Sequence, residues 1–125
     1  MSSDNHSKAE AGVSILVVDD DDDVREMLAE TLADFGYGVM QAASGEEALP
    51  LLDSAREIGI MLTDIRMPGM SGLELAELVR KERADVKIIV MSGYSDARPA
   101  QGRFLLKPFH MQELASAIRA ELEST

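Results

Sequence analysis

The sequence predicts an α/β domain: five parallel β-strands in a doubly wound sheet, with helices over both faces. Three observations carry that expectation. Short apolar runs alternate with longer stretches whose apolar residues recur at helical spacing. Capping residues stand where helical stretches begin, and glycines stand where the first one ends. The chain has 125 residues, 46% of them apolar, which supplies a core for one domain and leaves no room for two.

The elements follow in order. Residues 1–12, MSSDNHSKAEAG, are small and polar and read as a flexible tail, with His6 a solvated side chain. Residues 13–125 form the domain. Residues 13–18 (VSILVV) are β-branched and apolar, hence a buried strand. Val24, Met27, Leu28, Thr31, Leu32 and Phe35 then mark the inward face of a first helix, and Gly36 and Gly38 turn the chain. Residues 39–42 read as the second strand. Ser44 with Glu47 forms a capping box for the second helix. Pro50 inside that helix loses a backbone bond and is expected to kink it.

Residues 60–63 form the third strand. Ser71 and Glu74 cap a third helix, with Leu75, Leu78 and Val79 facing inward. Residues 86–91 and 104–106 are the fourth and fifth strands. Met111, Leu114, Ala115, Ile118 and Leu122 line the inner face of a final helix. The methionines at these spacings are read as core filler. Eleven residues, GYSDARPAQGR, separate Ser92 from Phe104, and they include Pro99 and two glycines. A parallel crossover needs at least about 10–12 residues. The fourth helix is therefore expected to be reduced or absent.

Composition narrows the function. There is no Cys, which removes disulfides, thiolate metal sites and cysteine nucleophiles and suits a reducing compartment. No apolar run approaches the ~20 residues of a membrane span. The N-terminus has no apolar h-region, so no secretory signal is expected and a cytoplasmic location is. Twelve Lys and Arg against 23 Asp and Glu give a net charge of −11. Such a domain is repelled by phosphate backbones and anionic lipid, so neither nucleic acid nor membrane is an expected partner. A cation, or a basic face on another protein, is the natural counterpart.

In doubly wound sheets ligands gather at the carboxyl ends of the strands, near a switch in strand order. Asp19 and Asp20 follow the first strand, Thr63 and Asp64 end the third, Ser92 follows the fourth and Lys107 the fifth. Singly, each reads as a cap or turn residue. Together they place three carboxylates, a hydroxyl and an ammonium on one edge. Clustered carboxylates repel unless a cation sits among them. Oxygen ligands without His or Cys select a hard ion, Mg²⁺ first, which leaves positions for phosphate oxygens. With a Lys and a hydroxyl beside it, such a site suits phosphoryl transfer, and its nucleophile would be a carboxylate.

Four segments carry a resemblance at this point: ILVVDDDDDVREML, MLTDIRMPGMSGLEL, VMSGYSD and FLLKPF. The second matches D-x-x-M-P-x-M-x-G from Asp64 to Gly72. In this order they resemble the receiver domains of two-component response regulators, similar to the chemotaxis-type single-domain regulators, from about Ile15 to Leu122. The resemblance implies a flavodoxin-like fold. It implies that Asp64 is the phosphoacceptor, and that Asp20, Asp19, Asp64 and the backbone carbonyl of Arg66 surround Mg²⁺. It implies that Ser92 and Lys107 bind the phosphoryl group and that the Lys107–Pro108 bond is cis. Ser92 and Phe104 would then form the switch. The phosphoryl donor would be a phosphohistidine on a histidine kinase or histidine phosphotransfer protein.

On that reading the domain is a signalling switch and not an enzyme. The last helical stripe reaches the end of the sequence, so no output domain is expected, and signalling would be by protein contact. The alternative is a receiver detached from a hybrid histidine kinase, or one acting as a phosphate sink. The oligomeric state is left open. The shortened crossover departs from the family and puts its usual docking surface in doubt. Arg66 and Tyr94, two residues past Asp64 and Ser92, either screen the acyl phosphate from water or are plain surface side chains. Rival readings are weaker. Asp19, Asp21, Asp23 and Glu30 fit a calcium loop, but Val24 stands where its turn needs Gly. Asp21–Asp23 are better placed as the start of the first helix. A haloacid-dehalogenase-like phosphatase would need a second acidic pair after its Lys. A vestigial interaction module would not keep every site residue.

Overall fold

The computed structural model describes residues 13–93 and 102–123. It runs β1 (Ser14–Val18), α1 (Asp22–Asp34), β2 (Gly38–Ala42), α2 (Gly45–Ser54), β3 (Ile58–Asp64), α3 (Gly72–Glu82), β4 (Lys87–Ser92), β5 (Arg103–Leu106), α4 (Met111–Glu123). All neighbouring strands are parallel, in the order β2-β1-β3-β4-β5. This is the flavodoxin-like order, whose switch point lies between β1 and β3. The expected reduction of the fourth crossover, and Tyr94 with it, fall on residues 94–101, outside the described residues.

Alternation along the strands sorts the core into two layers. Ile15, Val17, Ile60, Leu62, Ile89 and Met91 pack against Leu28 and Leu32 of α1 and Leu114 and Ile118 of α4. Leu16, Val18, Met61, Ile88 and Val90 face Ala48 and Leu52 of α2 and Leu75 and Val79 of α3. Both faces of β1, β3 and β4 are thus covered, which is why their sequences read as unbroken apolar runs.

The helix starts follow their caps. Asp21 accepts from the Asp23 and Val24 N–H groups, and Asp22 and Asp23 complement the dipole of α1. Ser71 and Glu74 form a complete capping box on α3. The box expected on α2 is only half formed. Ser44 Oγ accepts from Glu47 N–H at 3.1 Å, but the Glu47 carboxylate takes the Ala43 N–H at 3.0 Å, one residue further out. Helix α2 runs through Pro50 and continues to Ser54. Gly36 closes α1 at φ 101°, a conformation that costs glycine least.

Three inward assignments are corrected. Met27 is 50% exposed, Phe35 36% and Leu78 36%, because the buried stripes narrow to Leu28, Ala29 and Leu32 on α1 and to Leu75, Ala76 and Val79 on α3. A single layer of sheet covers less of each helix than the apolar spacing suggests. The methionines divide accordingly: Met61, Met67 and Met91 are buried, whereas Met27 is not.

One charged side chain helps hold the α2–α3 layer together. Arg83, the C-cap of α3, is 4% exposed. Its Nη1 donates to the carbonyl of Leu52 at 2.6 Å, and its Nη2 to Ile58 O at 2.9 Å and to Asp85 Oδ2 at 2.9 Å. Helix α2 has no basic residue in its own last turn. Arg83 supplies that cation from the neighbouring helix and satisfies carbonyls left open at the helix end.

Candidate phosphoacceptor site

The expected site residues come from separate strand ends. Asp19 follows β1 and is buried, at 1% exposure. Its Oδ1 accepts from the Asp21 N–H at 3.0 Å. Asp20, next in the chain, is exposed. Asp64 closes β3 and is half-buried. One carboxylate oxygen from each of the three lies within 4.8 Å of the others. Lys107 follows β5, and its Nζ stands 3.2 Å from Asp64 Oδ1 and 3.4 Å from Asp19 Oδ2. The Lys107–Pro108 peptide bond is cis.

Ser92 ends β4, is 1% exposed, and accepts the Lys107 N–H on its carbonyl at 2.8 Å. Parallel register sets Asp64 opposite Met91 and Ser92 opposite Leu106, so these residues share one edge. Phe104 on β5 is half-buried against the α2–α3 side of the core, opposite Val90. Arg66 lies exposed on the β3–α3 loop, where it borders an open depression of about 440 Å³ with Ile65, Met67, Pro68 and Ser71. The fold thus gathers Asp19, Asp20, Asp64 and Lys107 together near the switch point and ends β4 at Ser92 on the same edge of the sheet.

Residues 15–119 match the profile of the response regulator receiver domain. This chain belongs to that family. It is 39% identical over 118 residues to the sensor kinase CckA of Brucella abortus, covering 88% of this chain and 12% of the kinase. It is 40% identical over 115 residues to the transcriptional regulatory protein FixJ of Azorhizobium caulinodans, covering 85% of this chain and 53% of FixJ. The receiver domain therefore spans about half the length of the regulator and an eighth of the kinase. Among solved structures it is similar to the response regulator TrrA of Thermotoga maritima in complex with Mg²⁺ and BeF. That likeness has a TM-score of 0.79 at 37% identity and covers 86% of this chain and 97% of TrrA. No helix among the described residues is long and apolar enough to cross a membrane.

The electrostatics of the receiver pocket follow from its crowding. Burial raises the Asp64 carboxyl above the usual carboxylate range, and the neighbouring Asp19 and Asp20 charges add to that, against the lowering effect of Lys107. Burial works against the Lys107 ammonium too, but Asp19 and Asp64 outweigh it, and the net shift is upward. Three carboxylates against one ammonium leave surplus negative charge in a pocket whose acidic donors are all oxygen. A hard divalent cation fits that donor set.

Sequence reasoning passed over three supports of the receiver site. Gly72 lets α3 start against the end of β3: a Cβ there would sit 2.0 Å from the Asp64 carbonyl oxygen. The D-x-x-M-P-x-M-x-G pattern contained this glycine without revealing why. Thr63, fully buried, donates from Oγ1 to the Asp64 carbonyl at 3.0 Å. Arg25 donates from Nη1 to the Asp19 carbonyl at 2.9 Å. An arginine three residues into a helix carries no sequence signal that distinguishes it from a solvated one.

Proposed function

We propose that this receiver domain takes a phosphoryl group from a phosphohistidine, on a histidine kinase or a histidine phosphotransfer protein, and stores it on Asp64. The observation that carries the reading is the convergence of Asp19, Asp20, Asp64 and Lys107 at the switch point. Mg²⁺ bound by Asp19, Asp20, Asp64 and the Arg66 carbonyl would offset the charge of the carboxylates and the incoming phosphate. An oxygen of Asp64 attacks phosphorus, the phosphorus–nitrogen bond to histidine breaks, and the imidazole leaves with the bonding pair. Lys107, already paired with Asp64, pairs with a phosphoryl oxygen. The Ser92 hydroxyl donates to another, and Phe104 turns inward as Ser92 moves. Only the phosphorylated form rewards that movement, so phosphorylation shifts an existing equilibrium.

The domain acts as a switch in the cytoplasm, signals by protein contact and binds no nucleic acid itself. A chemotaxis-type regulator is the first reading. The similarity to CckA supports a second, a receiver borne by a hybrid kinase or used as a phosphate sink. The test is phosphotransfer profiling: purified histidine kinases, autophosphorylated with labelled ATP, are mixed with the domain. At least one kinase is expected to pass label to the wild type and none to Asp64→Asn. Equal labelling of Asp64→Asn would refute the acceptor assignment.

A further inference from the structure

Arg25 on α1 is 13% exposed in its side chain and touches three elements at once. Its Nη1 donates to the Asp19 carbonyl at 2.9 Å, and its Nε donates to Gln41 Oε1 on β2 at 3.0 Å. Its Nη2 pairs with Asp22 Oδ1 at 2.8 Å. The Asp22 contact is a surface ion pair, with Asp22 73% exposed, and contributes little. The other two clamp the start of the β1–α1 loop to the edge strand.

The clamp bears on Asp20 through the peptide group. The Asp19 carbonyl and the Asp20 N–H belong to one rigid plane. Holding that carbonyl fixes the plane in which the Asp20 Cα lies, and so limits where its side chain can reach. Asp19 is already constrained: the Asp21 N–H and Lys107 hold its carboxylate. Asp20 is exposed, and its carboxylate lacks a comparable contact among the described residues. The fork of a guanidinium can satisfy two acceptors in fixed geometry, which a lysine ammonium cannot do.

We infer that Arg25 is a positioning residue, which sets the Asp20 carboxylate for cation binding by locking the Asp19–Asp20 peptide. This inference rests on the Mg²⁺ reading above. The test measures Mg²⁺ affinity by calorimetry on the unphosphorylated protein, with Tm in EDTA recorded in parallel. Partners that orient metal ligands are commonly worth about 10–100-fold in metal affinity. Arg25→Met is expected to weaken Mg²⁺ binding at least about tenfold, at the low end of that range. Arg25→Lys, which keeps the charge and serves if Arg25→Met fails to fold, is expected to weaken it about threefold or more, between no effect and full loss.

A cycle separates positioning from general support. In an Asp20→Asn background, Arg25→Lys should leave the residual affinity within about twofold, because the carboxylate it positions is gone. Wild-type affinity in both Arg25 variants, or an undiminished loss in the Asp20→Asn background, would overturn the inference. Failure of the wild type to bind Mg²⁺ would instead overturn the reading beneath it.

Discussion

Gly72→Ala pits two physical effects against each other. Gly72 sits at the first helical position of α3, and helix propensity alone makes alanine better there by up to about 1 kcal/mol. The surroundings argue the other way. The added Cβ would lie 2.0 Å from the Asp64 carbonyl oxygen, 2.8 Å from Asp64 C and 3.0 Å from Ile65 Cα. All three are backbone atoms, so no side chain can swing aside. Ordinary contact requires the helix start and the end of β3 to separate by roughly 1 Å or more. That movement also strains the Gly72 N–H bond to Ile65 O, 2.8 Å long. Overpacking of this kind costs about 3 kcal/mol at the upper end of its usual range, for a net loss of about 2 kcal/mol. For a domain of this size the loss corresponds to a Tm lower by roughly 8 °C. Thermal unfolding followed by circular dichroism measures it, and Mg²⁺ affinity should fall as well, since Asp64 is the residue displaced. An alanine variant as stable as the wild type, or more so, would refute this account of Gly72.

Other consequences follow from the same structure. On the proposed mechanism Ser92→Ala removes a hydroxyl that serves only after transfer, so labelling of Asp64 should persist while the phosphorylation-induced change in amide exchange around β4 and β5 is reduced; full loss of labelling would contradict that division of roles. Arg83→Met leaves the carbonyls of Leu52 and Ile58 without their buried partner and should cost about 3 kcal/mol in urea unfolding, as other broken buried networks do. Asp85 responds to pH. Its hydrogen bond from Arg83 lowers its carboxyl below the usual range, so its contribution is present at neutral pH and fades as acid protonates it, below the unfolded value of about 3.9. Asp85 is two-thirds exposed, so Asp85→Asn should remove well under ~1 kcal/mol at pH 7 and flatten the acid limb of the stability profile.

The sheet and the acidic pocket were legible because they depend on strong local signals. Buried parallel strands must be continuously apolar, and whatever follows each run must lie on one edge, so Asp19, Asp20, Asp64, Ser92 and Lys107 could be listed from spacing alone. Helix faces were less legible. Met27 and Leu78 fit the apolar period, yet lie at the margin of stripes whose width is set by how much of the helix the sheet covers. The Glu47 carboxylate chose the Ala43 N–H over that of Ser44, a matter of loop geometry one residue outside the helix. Arg25, Gly72 and Arg83 act through backbone carbonyls distant in sequence, and a carbonyl leaves no mark in the residue code. Their roles emerge only once the strands are laid side by side.

The central claim is that three carboxylates and one ammonium at the switch point form a magnesium-dependent phosphoacceptor. The direct measurement is to incubate the protein with acetyl phosphate, with and without Mg²⁺, and to map the adduct by mass spectrometry after borohydride trapping. A single phosphoryl group on Asp64, formed only when Mg²⁺ is present, is the predicted result. An adduct on another residue, or one that forms equally well in EDTA, would contradict the account.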